Sequence, residues 1–171
     1  MARSRAVRAA LAAALAGAAL LGSTGWGRRA GVVATARFSA TVVRVVDGDT
    51  IVVSFAGRTE KVRVLGANTP ETVDPRRPVQ CFGPQASAYT HTRLPPGTRV
   101  TLETDVETRD KYGRLLAYVY VGGHRFDDDL LRLGYARLLI IPPNGVHARE
   151  MFEEEMHARE SRLGLWGACP P

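Results

Sequence analysis

The chain has 171 residues, 45% of them hydrophobic, which is enough for one domain with an apolar core. Its formal net charge of +6 is unevenly placed, because residues 1–36 contain five arginines and no acidic residue. Residues 37–171 carry 18 basic and 17 acidic side chains, a net charge of about +1. This balance does not support a protein that binds nucleic acid through a uniformly basic surface. An anionic ligand must instead be held by a few local arginines or lysines.

The first 36 residues differ in kind from the rest. Three arginines precede an apolar run at residues 9–21, and small residues follow it, an order that is typical of a secretory signal peptide. The run is shorter than the roughly 20 residues of a membrane-spanning helix. We expect residues 1–36 to be a signal peptide and linker, cleaved near residues 23–25 or 34–36, and residues 37–171 to be a secreted domain. An uncleaved leader would anchor the domain to a membrane.

Beyond the leader, runs of β-branched and apolar residues alternate with turn residues. They predict five strands, at residues 41–46, 50–55, 59–65, 98–104 and 114–121. Helices are predicted at residues 83–94, 126–133 and 147–163, with Pro or Gly at their ends. Short turns between the first three strands indicate an antiparallel meander. The sequence therefore predicts an α+β fold, in which a five-stranded OB-fold β-barrel packs against three α-helices.

Two of the predicted helices carry clusters of acids. Residues 127–129 are all aspartate, and at the start of a helix such acids complement the helix dipole. The last helix is expected to turn Met151, Met156 and Leu163 toward the core and its acids toward solvent.

The two cysteines, Cys81 and Cys169, both follow the leader. In an exported protein an even pair favours a disulfide bond, which would join the end of the chain to a segment near its middle. Two unpaired buried thiols are the alternative. A metal site made of two cysteines alone is disfavoured.

Four groups of polar residues stand out between the predicted strands and at their ends. Each has an ordinary structural explanation when it is taken alone. Together they suit phosphoester chemistry, because oxygen ligands hold hard cations, guanidinium groups bind phosphate, and a carboxylate can orient or deprotonate water. The groups are Asp47 with Asp49, Arg63, the loop that contains Asn68, Thr69 and Glu71, and Arg114.

The order of these residues resembles a known family. The segments DGDT, VRVLGANTPET, CFGPQAS, DKYGRLLAYVY and LLRLGYA are similar, in sequence and spacing, to the successive motifs of the staphylococcal nuclease (thermonuclease) family. The resemblance covers about residues 38–167. It implies an OB-fold barrel that cleaves the phosphodiester bonds of DNA and RNA in a calcium-dependent reaction and leaves 3′-phosphate ends. It also implies a monomer that prefers single-stranded or unstructured nucleic acid and needs no protein partner.

The resemblance also implies a calcium site. Asp49 corresponds to the family's calcium-binding carboxylate, and Thr69 to the residue whose backbone carbonyl binds the ion. Asn68 occupies the position of a further ligand. Asp47 would lie behind the metal ion.

The catalytic and substrate-binding roles follow in the same way. Glu71 corresponds to the carboxylate that acts as a general base or positions water. Arg63 and Arg114 correspond to the two phosphate-binding arginines. Lys111 and Tyr112 correspond to residues that line the terminal phosphate of the nucleotide.

Two positions depart from the family's pattern. Asn68 stands where the family has an aspartate. An amide oxygen can bind Ca²⁺, but one negative charge is lost. Residues 139–142 lack the tyrosines that lie against the substrate base, so we expect weaker substrate binding or stacking by Tyr112 and Tyr118.

Two interpretations follow from these matches and departures. The favoured one is a secreted, calcium-dependent endonuclease. The alternative is a catalytically weakened OB-fold module that binds nucleic acid and has lost its metal site.

Overall fold

A closed barrel forms the centre of the computed structural model, which describes residues 35–76 and 78–170. The predicted signal peptide lies outside the described residues, apart from Thr35 and Ala36. In chain order the elements are β1 (Arg37–Asp47), β2 (Thr50–Phe55), β3 (Arg58–Val64), β4 (Gly66–Asn68), α1 (Gly83–Arg93), β5 (Arg99–Glu103), β6 (Leu115–Val121), β7 (His124–Arg125), α2 (Phe126–Arg132), β8 (Arg137–Leu139), α3 (Ala148–Glu160) and α4 (Leu165–Ala168).

The barrel closes through five strands. β1 pairs antiparallel with β2 on one side and β5 on the other, β2 pairs with β3, and β5 pairs with β6. A parallel pairing of β3 with β6, which sets Val62 opposite Leu115, joins the two ends of the sheet. The inward-facing side chains, such as Ile51, Val53 and Leu102, are completely buried. The predicted OB-fold barrel with three packed helices is confirmed.

The helices cover one part of the barrel and carry the rest of the core. Phe126, Leu130 and Leu131 of α2 and Met151 of α3 are fully buried in the same apolar cluster as the barrel residues. No helix within residues 35–76 and 78–170 is long and apolar enough to cross a membrane. The short α4 was not predicted from the sequence.

The expectation that all acids of α3 face solvent was wrong for Glu155. This side chain is buried, and its carboxylate accepts a hydrogen bond from the backbone N–H of Leu138 at 3.0 Å. Arg159, one turn later, lies 3.4 Å from the same carboxylate. Met151 is buried as predicted, whereas Met156 is only half-buried. Leu163 lies beyond the end of α3.

The three aspartates at residues 127–129 do lie in the first turn of α2, but Asp127 is not a surface acid. It is fully buried, and its Oδ1 accepts a hydrogen bond from the backbone N–H of Val119 at 3.1 Å. Burial raises the pKa of Asp127 well above its usual range. Asp127 therefore ties α2 to β6 in addition to standing at a helix start.

Two features outside the barrel shape the loop that follows β3. The first is a two-stranded ribbon in which β4 pairs antiparallel with β8, so that Asn68 lies opposite Arg137. The second is the disulfide bond between Cys81 and Cys169, whose Cα atoms are 5.9 Å apart. The disulfide prediction is confirmed. The ribbon and the bridge fix the two ends of the loop that carries Glu71.

Candidate active site

The predicted site residues converge on one open cleft of about 740 Å³. It lies where the β1–β2 turn, the outer end of β3, the loop after β4 and the start of β6 meet. Eight of the ten residues for which a metal, substrate or catalytic role was predicted line it: Asp47, Asp49, Arg63, Asn68, Thr69, Glu71, Tyr112 and Arg114. Lys111 and Tyr118 do not.

The β1–β2 turn supplies two carboxylates. Asp47 accepts hydrogen bonds from the N–H of Gly48 at 2.8 Å and from the hydroxyl of Thr72 at 2.6 Å. Asp49 accepts from the hydroxyl of Thr50 at 3.1 Å and from the N–H of Thr69 at 2.9 Å. The turn lies so close to the next loop that a Cβ at Gly48 would stand 2.7 Å from the Thr69 side chain. Any other residue at position 48 would therefore force the Thr69 side chain to move.

Negative charge is concentrated at this turn. Burial raises the pKa of Asp47, and the neighbouring charges of Asp49 and Glu71 raise it further, against hydrogen bonds from Thr72 and Gly48. A carboxylate in this position is stabilised by a nearby cation.

Arg63 is the buried cation of the cleft, with only 6% of its surface exposed. Its Nη1 donates to the backbone carbonyls of Val64 at 2.6 Å and Ala67 at 2.7 Å. Its Nη2 donates to Oδ1 of Asn68 at 3.0 Å and lies 3.1 Å from Oδ2 of Asp49. Burial lowers the pKa of Arg63; Asp49 opposes this shift and Arg114 adds to it. A further anion near the buried guanidinium of Arg63 would stabilise its charged form.

Glu71 is held by the backbone that follows it. Its Oε1 accepts hydrogen bonds from the N–H groups of Thr72, Val73 and Asp74 at 2.9, 2.7 and 3.1 Å. These bonds, that from Val73 above all, lower the pKa of Glu71. The group therefore stays ionised at neutral pH and is a weak base, which suits the orientation of water better than the removal of its proton.

Gln80 brackets Glu71 from the other side of the loop. Its Oε1 accepts from the N–H of Glu71 at 2.9 Å, and its own N–H donates to the Glu71 carbonyl at 3.0 Å. Gln80 was not among the site residues predicted from the sequence. Its one signal was its place directly before Cys81, which anchors the returning end of the loop.

Arg114 and Tyr112 form the opposite wall. Nε of Arg114 donates to Oδ2 of Asp110 at 2.7 Å, and Cζ of Arg114 lies 5.4 Å from the centroid of the Tyr112 ring. Nζ of Lys111 lies 5.1 Å from the same ring, and Tyr112 is 72% exposed. Tyr112 therefore offers an open aromatic face beside a partly exposed guanidinium.

The expectation that Tyr118 stacks on a base was wrong. Only 1% of this residue is exposed, its ring packs against His147, and its hydroxyl donates to Oδ2 of Asp105 at 3.2 Å. Leu139 and Ile141, from the segment that lacks tyrosines, line the cleft instead. Leu139 and Ile141 therefore make its apolar rim aliphatic, and Tyr112 is the one aromatic side chain among the described residues that line the cleft.

The oxygen atoms of the cleft suit a hard cation. Asp47, Asp49, Asn68 and Thr69 all line it, and Ca²⁺ takes carboxylate, amide and carbonyl oxygens. Thr69 Oγ1 is buried without a hydrogen-bond partner in the described part of the chain. The same part contains no group of three or more His, Cys, Asp or Glu side chains arranged to hold a metal ion. The residues present fit a cation that is held by few side-chain ligands.

Most of the described chain matches a known protein family. The family model described as "Staphylococcal nuclease homologue" matches residues 61–168 of the chain. The chain belongs to the staphylococcal nuclease family. The resemblance seen in the sequence is thus confirmed, and the family is one of nucleases.

Individual relatives agree with this assignment. The chain is 43% identical over 128 residues to the thermonuclease of Staphylococcus intermedius, an overlap of 75% of this chain and 76% of that one. It is 38% identical over 125 residues to the thermonuclease of Staphylococcus hyicus, 73% of each chain. It is also 39% identical over 130 residues to endonuclease YncB of Bacillus subtilis (strain 168), 75% of this chain and 61% of that protein.

Proposed function

We propose that the protein is a secreted, calcium-dependent endonuclease that hydrolyses the phosphodiester bonds of DNA and RNA to 3′-phosphate products. The observation that carries the proposal is the convergence of Arg63, Arg114 and Glu71 on a cleft with two further buried carboxylates. Membership in a nuclease family and the names of the thermonuclease and endonuclease relatives support it.

Substrate binding falls to the two arginines. Arg114 uses Nε for its ion pair with Asp110, so its terminal nitrogens remain for a phosphate oxygen. Arg63 is anchored by backbone carbonyls, and burial disfavours its charged form, so an anion bound in the cleft would stabilise that charge. Guanidinium groups placed in this way stabilise the charge that develops on phosphate oxygens during the reaction.

Glu71 has the role of positioning water. Three backbone N–H groups hold its Oε1, so Oε2 can accept a hydrogen bond from a water molecule that faces phosphorus. In the reaction the water oxygen forms a bond to phosphorus and the bond from phosphorus to the 5′ oxygen breaks. The proton of water passes to solvent and the leaving 5′ oxygen takes up a proton, which leaves a 3′-phosphate and a 5′-hydroxyl.

Asp49, Asn68 and Thr69 would hold the calcium ion, with Asp47 behind them. When bound, Ca²⁺ would neutralise the crowded carboxylates and act as a Lewis acid toward the phosphate. Tyr112 would contribute an aromatic face for a base, and Lys111 a positive charge beside it. We expect single-stranded or unstructured substrates and a monomeric enzyme.

Secretion rests on the composition of residues 1–36 and is supported by the disulfide bond. Disulfides persist in oxidising compartments such as the cell exterior. N-terminal sequencing of the protein recovered from the culture medium would identify the cleavage point. Recovery of the full-length chain in the membrane fraction alone would contradict secretion.

The function is tested by incubating the protein with end-labelled single-stranded DNA in Ca²⁺ or in chelator. We expect metal-dependent cleavage to 3′-phosphate ends. An Arg114→Ala variant should lose cleavage, whereas Arg149→Ala, which removes an arginine exposed on α3, should retain it. Binding of the DNA without metal-dependent cleavage would contradict the enzyme and favour the alternative, a nucleic-acid-binding module.

A further inference from the structure

A second cavity adjoins the active-site cleft. It has a volume of about 270 Å³ and shares Asn68, Thr69 and Gln80 with the cleft. Its remaining walls include Pro70, Leu165 and the two half-cystines. The two spaces therefore adjoin along the loop that carries Asn68 and Thr69.

Arg137 provides the positive charge of this cavity. It lies opposite Asn68 in the β4–β8 ribbon, so it is one strand spacing from the cleft. Its Cζ lies 4.4 Å from the centroid of the Trp166 ring, and Cζ of Arg159 lies 4.2 Å from the same centroid. Stacking on indole restricts the guanidinium without using its hydrogen-bond donors.

The charge of Arg137 is not balanced by a nearby acid. Arg159 pairs with Glu155 at 3.4 Å, but within residues 35–76 and 78–170 no carboxylate pairs with Arg137. A preformed guanidinium that lacks a counter-ion and has its donors free is suited to bidentate binding of a phosphate.

The two spaces differ in their charged residues. The cleft is lined by four acids and four basic residues: Asp47, Asp49, Glu71, Asp74, Lys61, Arg63, Arg76 and Arg114. The described residues that line the second cavity include Arg137 and no Asp or Glu. A phosphate that enters the second cavity therefore meets the positive charge of Arg137 with no acid among the described residues of its lining.

We propose that the second cavity binds a nucleotide unit of the substrate strand beyond the scissile phosphodiester, with its phosphate on Arg137. The amides of Asn68 and Gln80 offer donors and acceptors to that unit, and Pro70 with Leu165 offers apolar surface. The proposal rests on the proposed function, since it places this unit on the strand that is cleaved in the neighbouring cleft. Binding of this additional unit would make the enzyme favour substrates longer than a dinucleotide.

The test measures binding in chelator, where no metal-dependent cleavage occurs. Fluorescence anisotropy gives the affinity of the full chain for a labelled thymidine dinucleotide and a labelled thymidine octanucleotide. Arg137→Gln should weaken octanucleotide binding about fivefold to tenfold and dinucleotide binding less than twofold. The slope of log affinity against log salt for the octanucleotide should fall by about 0.7, the value for one phosphate contact on a single strand.

Two further variants distinguish the loss of positive charge in the cavity from the loss of packing against Trp166. Arg159→Gln also removes a guanidinium from Trp166 but does not line the cavity, and it should bind the octanucleotide like the wild type. Arg137→Lys should keep the salt slope and lose part of the affinity. The proposal is overturned if Arg137→Gln changes both ligands equally, changes neither, or is matched by Arg159→Gln. Because cleavage is not measured, an inactive protein would contradict the proposed function and still test this subsite.

Discussion

Replacing both Cys81 and Cys169 by serine should lower the melting temperature by about 15 °C. The bridge joins residues separated by 88 positions. In the chain-entropy model a closed loop of this length stabilises the fold by about 4.5 kcal/mol at 25 °C. A domain of roughly 135 residues has an unfolding entropy near 0.28 kcal/mol/K, and the ratio of the two gives the expected shift. Differential scanning calorimetry of the wild type and the double variant measures it.

The control is the wild-type protein in a reductant. Its melting temperature should fall to that of the double serine variant, and the variant should not respond to reductant. Amide hydrogen exchange at Val73 and Asp74 should also speed up in the variant, because Cys81 anchors the end of the loop that Gln80 holds against Glu71. A shift below about 3 °C would refute the loop-entropy reasoning.

Three further predictions concern single side chains. Arg114→Lys should lower kcat by about two to three orders of magnitude, because lysine cannot pair with Asp110 through Nε and still offer two donors to phosphate; a loss no greater than that of Arg149→Ala would contradict this role. Although burial acts in the other direction, bonds from Tyr120, Arg37 and His147 lower the pKa of Glu103 to about 2. The stability that this group contributes is present above pH 4.5 and is lost as the pH falls toward 2, so melting curves of Glu103→Gln should lack this part of the acid destabilisation. Asn68→Asp should raise Ca²⁺ affinity about tenfold in a calorimetric titration, and unchanged affinity would mean that Asn68 is not a ligand.

The barrel could be predicted because its strands follow the simplest pattern in the chain. Residues 50–53 of β2 form a buried run of β-branched side chains, and glycine-containing turns mark the ends of the strand. The β4–β8 ribbon could not be predicted as paired strands. Each of its strands has three residues, which is too short for a periodic signal, and the pairing depends on how the chain returns to the barrel after α2.

The residues of the site could be predicted from the sequence, but the hydrogen bonds that hold them could not. The residue types suggested phosphoester chemistry, and the resemblance of the motifs to the family predicted that the arginines and carboxylates share one site. They did not show that Glu71 accepts three bonds from its own loop, because those bonds depend on the backbone conformation of residues 72–74. They also could not show that Tyr118 is buried against His147 and Asp105, because those partners come from segments that are distant from Tyr118 in the sequence.

The position of Asn68 between the cleft and the second cavity offers a physical explanation for its amide. It lines both the active-site cleft and the cavity that contains Arg137, and it accepts a bond from Arg63. A carboxylate at this position would strengthen a cation site, but it would also add a negative charge directly opposite Arg137, where a phosphate has to bind without help from a metal. The amide of Asn68 thus lowers the affinity for the cation, and it avoids a negative charge next to the phosphate that we place on Arg137. Asn68→Asp should therefore weaken octanucleotide binding in chelator while it strengthens Ca²⁺ binding; if both affinities rise, Asn68 does not have this divided role.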